Sequence, residues 1–472
     1  MKTGKIVLFL VVFFVSILSA QESSGLKIGD TTWSFNGEIR FMYTDQTDPA
    51  YYTPSAYDRS PGYYGAVDSF NRMYQRYRFG VEGALSDRLS AYFELIVGDE
   101  QWGNKNYNER EVNIRTRLAY LQFKPEFLGD DTMFRVGLQG YDDIFQYSVW
   151  SDEGVGIIMN HTTDTITANI GYLTLRDDDV DTDLHYIFRG PPGYIDMGVV
   201  PVPASETLFI ADATVKANDA MSIKGAFYYD YVRDYDMSFM GPLDAHMTYK
   251  MAFYGAGIDY ALNDAMSIGG HFVTRSGTAT IYDNDDDDET EVDINGWFAY
   301  GYSTFTADKF TAKVNFGYTP FKHDEISTSI TAWGGAFFLL DGGSMMGVVG
   351  GNQWQTAYGL EYYGRGDVCD RQAVNSGYGG LSGLMVLSAN LSYDFLFANF
   401  GIIRATDSTD YGTYELKKDI GTEIDFGVKT EIMSGLEFKA VYAMFLTGDY
   451  YGYDGEKMDN AREMSMQLRY AF

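Results

Sequence analysis

The chain closes on "AREMSMQLRYAF", Ala461 to Phe472, and the reading of this stretch decides the fold. Met464, Met466, Leu468, Tyr470 and Phe472 fall on one parity, while Glu463, Ser465, Gln467 and Arg469 fall on the other. A period of two is a β-strand with one oily face and one wet face. Chain ends in water usually fray, so a terminal aromatic on a strict alternation asks for an apolar surface outside the molecule. Lipid supplies one.

The opposite end of the chain agrees. In "MKTGKIVLFLVVFFVSILSA", Lys2 and Lys5 precede an apolar run from Ile6 to Val15 and small residues up to Ala20. This is the order of a secretory signal, and the run is short for a helix of about 20 residues that would span a bilayer. Residues 1–20 are therefore expected to be a signal peptide, 21–31 a periplasmic lead, and 32–472 a single barrel domain.

Composition narrows the exported chain. With 39 Tyr and 51 Gly against 10 Pro, strand and turn formers dominate. The single cysteine, Cys369, excludes a disulfide framework and a CxxCH haem attachment. A formal charge of −31 excludes a nucleic-acid partner, which needs a basic footprint, and suggests attraction for cations.

The alternation recurs far from the terminus. In "TTWSFNGEIRFMYT", Trp33, Phe35, Ile39, Phe41 and Tyr43 alternate with Ser34, Asn36, Glu38 and Arg40. "DKFTAKVNFGY" and "DIGTEIDFGVKTEI" repeat it. A soluble sandwich also alternates, but these runs last about 10 to 13 residues with aromatics near their ends, the length and dressing of tilted membrane strands. The expected fold is all-β: a closed antiparallel transmembrane β-barrel of about 18 strands, with about 16 as the alternative count, short periplasmic turns and long extracellular loops. Tight turns are expected at Asp87, Asp164, Asp219, Asp264, Asp308 and Gly435, with "NDAMSI" occurring twice. Long polar connections include Ser276 to Glu291 and a stretch over 319–382 that gates or plugs the lumen.

Parity places Arg40, Arg76, Arg78, Arg115, Arg117 and Arg135 inward, with Glu82 beside them. Near Ala119 the parity is ambiguous and implies a bulge. In "QGYDDIFQYSVWSDE", Asp142 and Asp143 follow an inward Arg135. A third outer loop folding into the lumen would oppose these carboxylates to the arginines, and opposed charges at a waist sort solutes by charge. Without such a loop, arginines on neighbouring strands are offset by carboxylates such as Glu38 and Glu82.

Enzymatic signatures are missing from this sequence. The five histidines show no zinc spacing and there is no GxSxG elbow. No cofactor is expected beyond weak loop-bound Ca²⁺ at Asp285, Asp286 and Asp287, hard oxygen donors in "DNDDDDETEVD" that lack EF-hand spacing.

"RVGLQGYDD" and "QLRYAF" resemble the Gram-negative outer-membrane porins, both the general porins and the alginate-export-like barrels. The resemblance implies an integral protein of the cell outer membrane, in contact with membrane lipid and lipopolysaccharide, passing small hydrophilic solutes or ions by diffusion. It also implies an assembly signal, Leu468, Tyr470 and Phe472, read by the barrel-assembly machinery. A homotrimer is one assembly open to such a barrel. The alternatives are a sugar- or oligosaccharide-selective channel and a plugged, surface-binding, adhesin-like barrel.

Overall fold

The computed structural model describes residues 26–47, 69–102, 114–145, 151–176, 183–190, 193–201, 205–236, 245–283, 288–319, 384–404, 406, 409–411, 414–416, 418–449 and 460–472. The expected signal peptide, the Ca²⁺-binding candidates Asp285 to Asp287 and the expected 319–382 loop beyond Thr319 lie outside these residues.

The first strands are β1 (Leu26–Ile28), β2 (Thr31–Thr47), β3 (Ser69–Ser86), β4 (Leu89–Trp102), β5 (Ile114–Phe123), β6 (Thr132–Asp142), β7 (Ser151–Thr162) and β8 (Ile166–Arg176). Then come β9 (Asp183–Gly190), β10 (Gly193–Pro201), β11 (Ser205–Asn218), β12 (Met221–Asp236), β13 (Ala245–Asn263), β14 (Met266–Asp283), β15 (Asp288–Ala307) and β16 (Phe310–Thr319). The last are β17 (Leu384–Tyr393), β18 (Leu396–Arg404), β19 (Thr409–Tyr411), β20 (Tyr414–Leu416), β21 (Asp419–Met433), β22 (Leu436–Thr447) and β23 (Ala461–Ala471).

Each barrel strand pairs antiparallel with its sequence neighbour. β8 passes directly to β11, β18 to β21, and β23 returns to β2. β2–β8, β11–β18 and β21–β23 thus form a closed ring of 18 strands among the described residues. Closure pairs every strand on both sides, the condition for a sheet surrounded by hydrocarbon. The short β1 adds to β2 through a turn at Gly29, whose φ of 63° suits glycine. β9 with β10, and β19 with β20, are separate hairpins within two of the long connections.

The strands turn where the sequence indicates. Both copies of "NDAMSI" fold identically: Asn218 Oδ1 accepts from the Ala220 N–H and Asn263 Oδ1 from the Ala265 N–H, each at 2.9 Å. These Asx turns are why the repeated hexapeptide marks equivalent hairpins. The stretch from Ser276 to Glu291 departs from expectation. It belongs to β14 and β15, which run 18 and 20 residues and leave only 284–287 between them. About 9 to 11 residues suffice to span a bilayer, so β14 and β15 are longer than a membrane crossing requires.

The two faces of the sheet separate by parity. On β21, Phe426 is 57% exposed on the outside, while its neighbour Asp425 is fully buried on the inside. An outward belt of ring contacts crosses β8 to β16: Tyr172–Phe209, Phe227–Tyr254, Phe272–Trp297 and Trp297–Tyr318 have centroids 5.0 to 5.5 Å apart. Such a belt marks the interfacial level of a membrane barrel.

The inner face is not uniformly wet. Leu173, Leu208, Ile210, Tyr228, Met251 and Phe253 share the parity of inward Asn169, Asp212 and Asp259, yet all are buried. Here apolar residues occupy both faces, so the strands read as runs, "LFI" at Leu208–Ile210 and "FYY" at Phe227–Tyr229, rather than as alternations.

Candidate functional site

The lumen wall divides into three sectors. The first carries the arginines, on β23 and β2 to β6. Glu38 sits at its centre, on β2 between β3 and β23. Its carboxylate accepts from Arg76 Nη2 at 3.0 Å and from Arg469 Nε at 2.6 Å, with Arg40 Nε at 4.0 Å. Arg78 lies directly opposite Glu38 on β3, and Arg40 opposite Arg76. A second carboxylate, Glu94 on β4, accepts from Arg117 Nη1 at 2.8 Å and from the Tyr92 hydroxyl at 2.8 Å. Glu153 takes Arg117 Nε at 2.7 Å.

Arg117 reaches two carboxylates because of a local irregularity. The β4–β5 register shifts between Glu94 and Leu95, leaving Arg117 without a ladder partner. This is the irregularity that parity near Ala119 implied, and it re-aims one side chain. Arg115 pairs with inward Ile96 and is exposed; Glu82 faces Tyr92 across β3 and β4. The Arg135 guanidinium stands 5.2 Å from the Tyr120 ring centroid, which itself lies 5.3 Å from that of Tyr92.

The second sector is where the chain leaves β6. Tyr141, the last inward residue of that strand, donates its hydroxyl to the Asp212 carboxylate on β11 and also lies 3.3 Å from the Tyr228 hydroxyl on β12. The Asp143 carboxylate accepts from the Phe145 N–H at 2.6 Å, tightening the turn, and the Ile144 N–H donates to the Tyr228 hydroxyl at 3.4 Å. Phe145 is fully buried, its ring centroid 5.3 Å from that of His271 on β14. The segment after β6 therefore crosses the inner wall to residues 71 to 126 positions further along the chain. Asp142 is exposed and Asp143 buried in this strap. Glu38, Glu94 and Glu153, on the wall strands β2, β4 and β7, meet arginines directly.

The third sector is an amide ladder. The Tyr300 hydroxyl donates to Asn315 Oδ1 at 2.9 Å, and Asn315 Nδ2 donates to Asn390 Oδ1 at 2.8 Å and to Ser388 Oγ at 3.1 Å. Asn390 then donates to Asn399 at 3.2 Å, and Asn399 to Asp425 at 3.3 Å. One line of hydrogen bonds thus crosses β15 to β18 and β21. A shorter copy, Asn160 to Asn169 to Asp212, crosses β7, β8 and β11 at 2.9 Å per step. Chained polar groups of this kind rigidify a wall when every member is satisfied.

Three site features were missed by sequence reasoning. The asparagine ladders have no motif, since each member is a lone residue on its own strand. The Phe145 contacts join residues remote in sequence. The third is Arg275 on β14, whose Nε, Nη1 and Nη2 are buried and find no hydrogen-bond partner among the described residues. Its only sequence signal is parity with His271. Among the described residues no group of three or more His, Cys, Asp or Glu side chains is placed to hold a metal ion.

No protein-family model and no curated protein matches this sequence. Solved structures do. OpdL of Pseudomonas aeruginosa aligns over 93% of this chain and 98% of its own, with a TM-score of 0.52 and 11% identity. OccD3 (OpdP) of the same organism covers 96% and 93%, at a TM-score of 0.49 and 12% identity. OmpT, an outer membrane protein of Vibrio cholerae, covers 95% and 100%, at 0.44 and 10%. At such identities the likeness to OpdL is one of fold, a closed antiparallel β-barrel.

Proposed function

We propose that this protein is a passive, water-filled diffusion channel of the outer membrane for small hydrophilic solutes, favouring cations. One observation carries the reading: 18 strands close into a single ring whose outside is apolar and aromatic and whose inner wall holds charged pairs and amides. A ring of this size encloses more space than inward side chains fill. No enzymatic role is needed to account for the charges, because the arginines answer carboxylates on the same wall.

The cation preference rests on the excess of acidic groups: carboxylates such as Glu38, Glu94, Asp212, Asp230, Glu423 and Asp425 are buried on many strands of the wall. The whole chain carries −31. Purified protein in planar bilayers is expected to give steady ohmic steps, with a reversal potential of cation sign in a salt gradient. Silence, or an anion-signed potential, counts against the reading.

Tyr92 and Tyr120, with rings 5.3 Å apart beside Asn36 and Glu94, favour a second reading, selective passage of sugars along aromatic faces. Concentration-dependent block of the current by oligosaccharides would distinguish it.

A further inference from the structure

We propose that the seating of Phe145 against Gly255 is the anchor that fixes the strap after β6, and with it the cross-section of the passage. The inference deepens the channel reading and rests on it. Phe145 would be a positioning residue that sets the size limit for solutes.

The seat is specific. Gly255 lies on the inward face of β13, between buried Phe253 and inward Gly257, and a Cβ there would stand 2.1 and 2.4 Å from the Phe145 ring atoms. No L side chain fits while the ring is in place. His271 flanks the ring on β14 and is itself packed on Tyr300, 4.9 Å away, and Phe298, 5.9 Å away. The ring therefore meets a wall already braced by its own aromatic contacts.

Hydrogen bonds alone would hold the strap less well. The Tyr141 and Ile144 contacts to Asp212 and Tyr228 exchange bonds to water for bonds within the protein, so their net contribution is small. The buried phenyl ring of Phe145 adds the transfer of its apolar surface out of water. The strap thus has two hydrogen-bonded points near its root and one hydrophobic point at its far described end. Releasing the far point leaves the root attached and lets the segment swing from the wall.

Three variants test this in bilayers, each first checked for a folded, heat-modifiable band. Phe145→Ala is expected to change the unitary conductance by roughly 1.5-fold or more and to shift the sugar-size cut-off in liposome swelling, because the constriction is no longer held. Gly255→Ala, which fills the seat, is expected to shift both in the same direction. The double variant is expected to add nothing to Phe145→Ala, since both changes break one contact. Folded Phe145→Ala with native conductance and cut-off overturns the proposal, as does simple additivity.

A second measurement separates this from the channel reading. In a Cys369→Ser background, Ile144→Cys is expected to react with a water-soluble maleimide roughly tenfold faster once Phe145 is Ala. A native protein that is silent in bilayers overturns the channel reading, and the labelling ratio still judges the anchor: equal rates overturn it.

Discussion

Glu38 shows how much one side chain can organise. It is almost fully buried, sits on the strand where the ring closes, and holds Arg76 from β3 and Arg469 from β23. Glu38→Gln keeps the shape and removes the charge, leaving two guanidiniums without their anion. Hydrogen bonds to charged groups are worth about 1.5 to 3 kcal/mol each in protein interiors. Because Arg469 is half exposed and Gln still accepts a hydrogen bond, the loss expected for the variant is about 2 kcal/mol, below the simple sum of the two bonds. Urea unfolding followed by tryptophan fluorescence measures it. The same substitution unmasks positive charge in the passage, so the reversal potential in a salt gradient should move towards anions; an unchanged potential would mean that Glu38 does not face the conducting path. The Glu38–Arg40 relation was legible from the sequence, because both residues share a parity two positions apart. That Arg469, 431 residues away, completes the site was not, since it depends on which strand closes the ring.

At the scale of the strand, the period of two carries most of the information, and it does so because one face meets lipid. Phe400 on β18 illustrates the cost of breaking it. It is an outward residue in the middle of a nine-residue strand. Phe400→Arg is expected to cost about 2 to 4 kcal/mol, the penalty of a cation near the bilayer midplane, whereas an arginine at inward Asn399 is expected to cost less and to lower conductance instead. Unfolding titrations in lipid vesicles separate the two. β23 behaves likewise at its tip. The Phe472 N–H donates to the Gly37 carbonyl at 3.1 Å and its carbonyl accepts from the Gly37 N–H at 2.9 Å, so the terminal residue is paired rather than frayed. Its ring lies over Gly37, where a Cβ would approach within 2.7 Å, and Tyr470 stacks on it with centroids 5.8 Å apart. Gly37→Val should unseat the ring and reduce the fraction of heat-modifiable protein recovered from cells. Where alternation fails, in β11 to β13 and β15, the strands were harder to read. Their inner face is apolar and covered, so the residues signal burial without saying on which side.

For the whole molecule, the sign of the charge and its distribution decide what passes. Acidic inner residues stand both within the arginine sector, at Glu38 and Glu94, and beyond it, at Asp230 on β12 and at Glu423 and Asp425 on β21. Substituting both Glu423→Gln and Asp425→Asn keeps the amide ladder's shape and removes two negative charges. The cation-to-anion permeability ratio is expected to fall, read from the reversal potential at low salt where screening is weak. A ratio that holds would place selectivity elsewhere on the ring. Strand number and the side on which the short turns lie were accessible from the sequence, because they follow from local patterns repeated many times. The division of the lumen into sectors was not, since it depends on which wall residues a strap from β6 comes to cover.

The pairing of β2 with β23 also has a consequence for biosynthesis. The hydrogen bonds that seal the cylinder join β2 to β23, the first and last strands of the ring in chain order. A ribosome that stops early, even a dozen codons short, therefore releases a curved sheet with two raw margins instead of one sealed wall. Such margins pair with whatever strand they meet, so truncated copies should clump rather than persist as smaller pores.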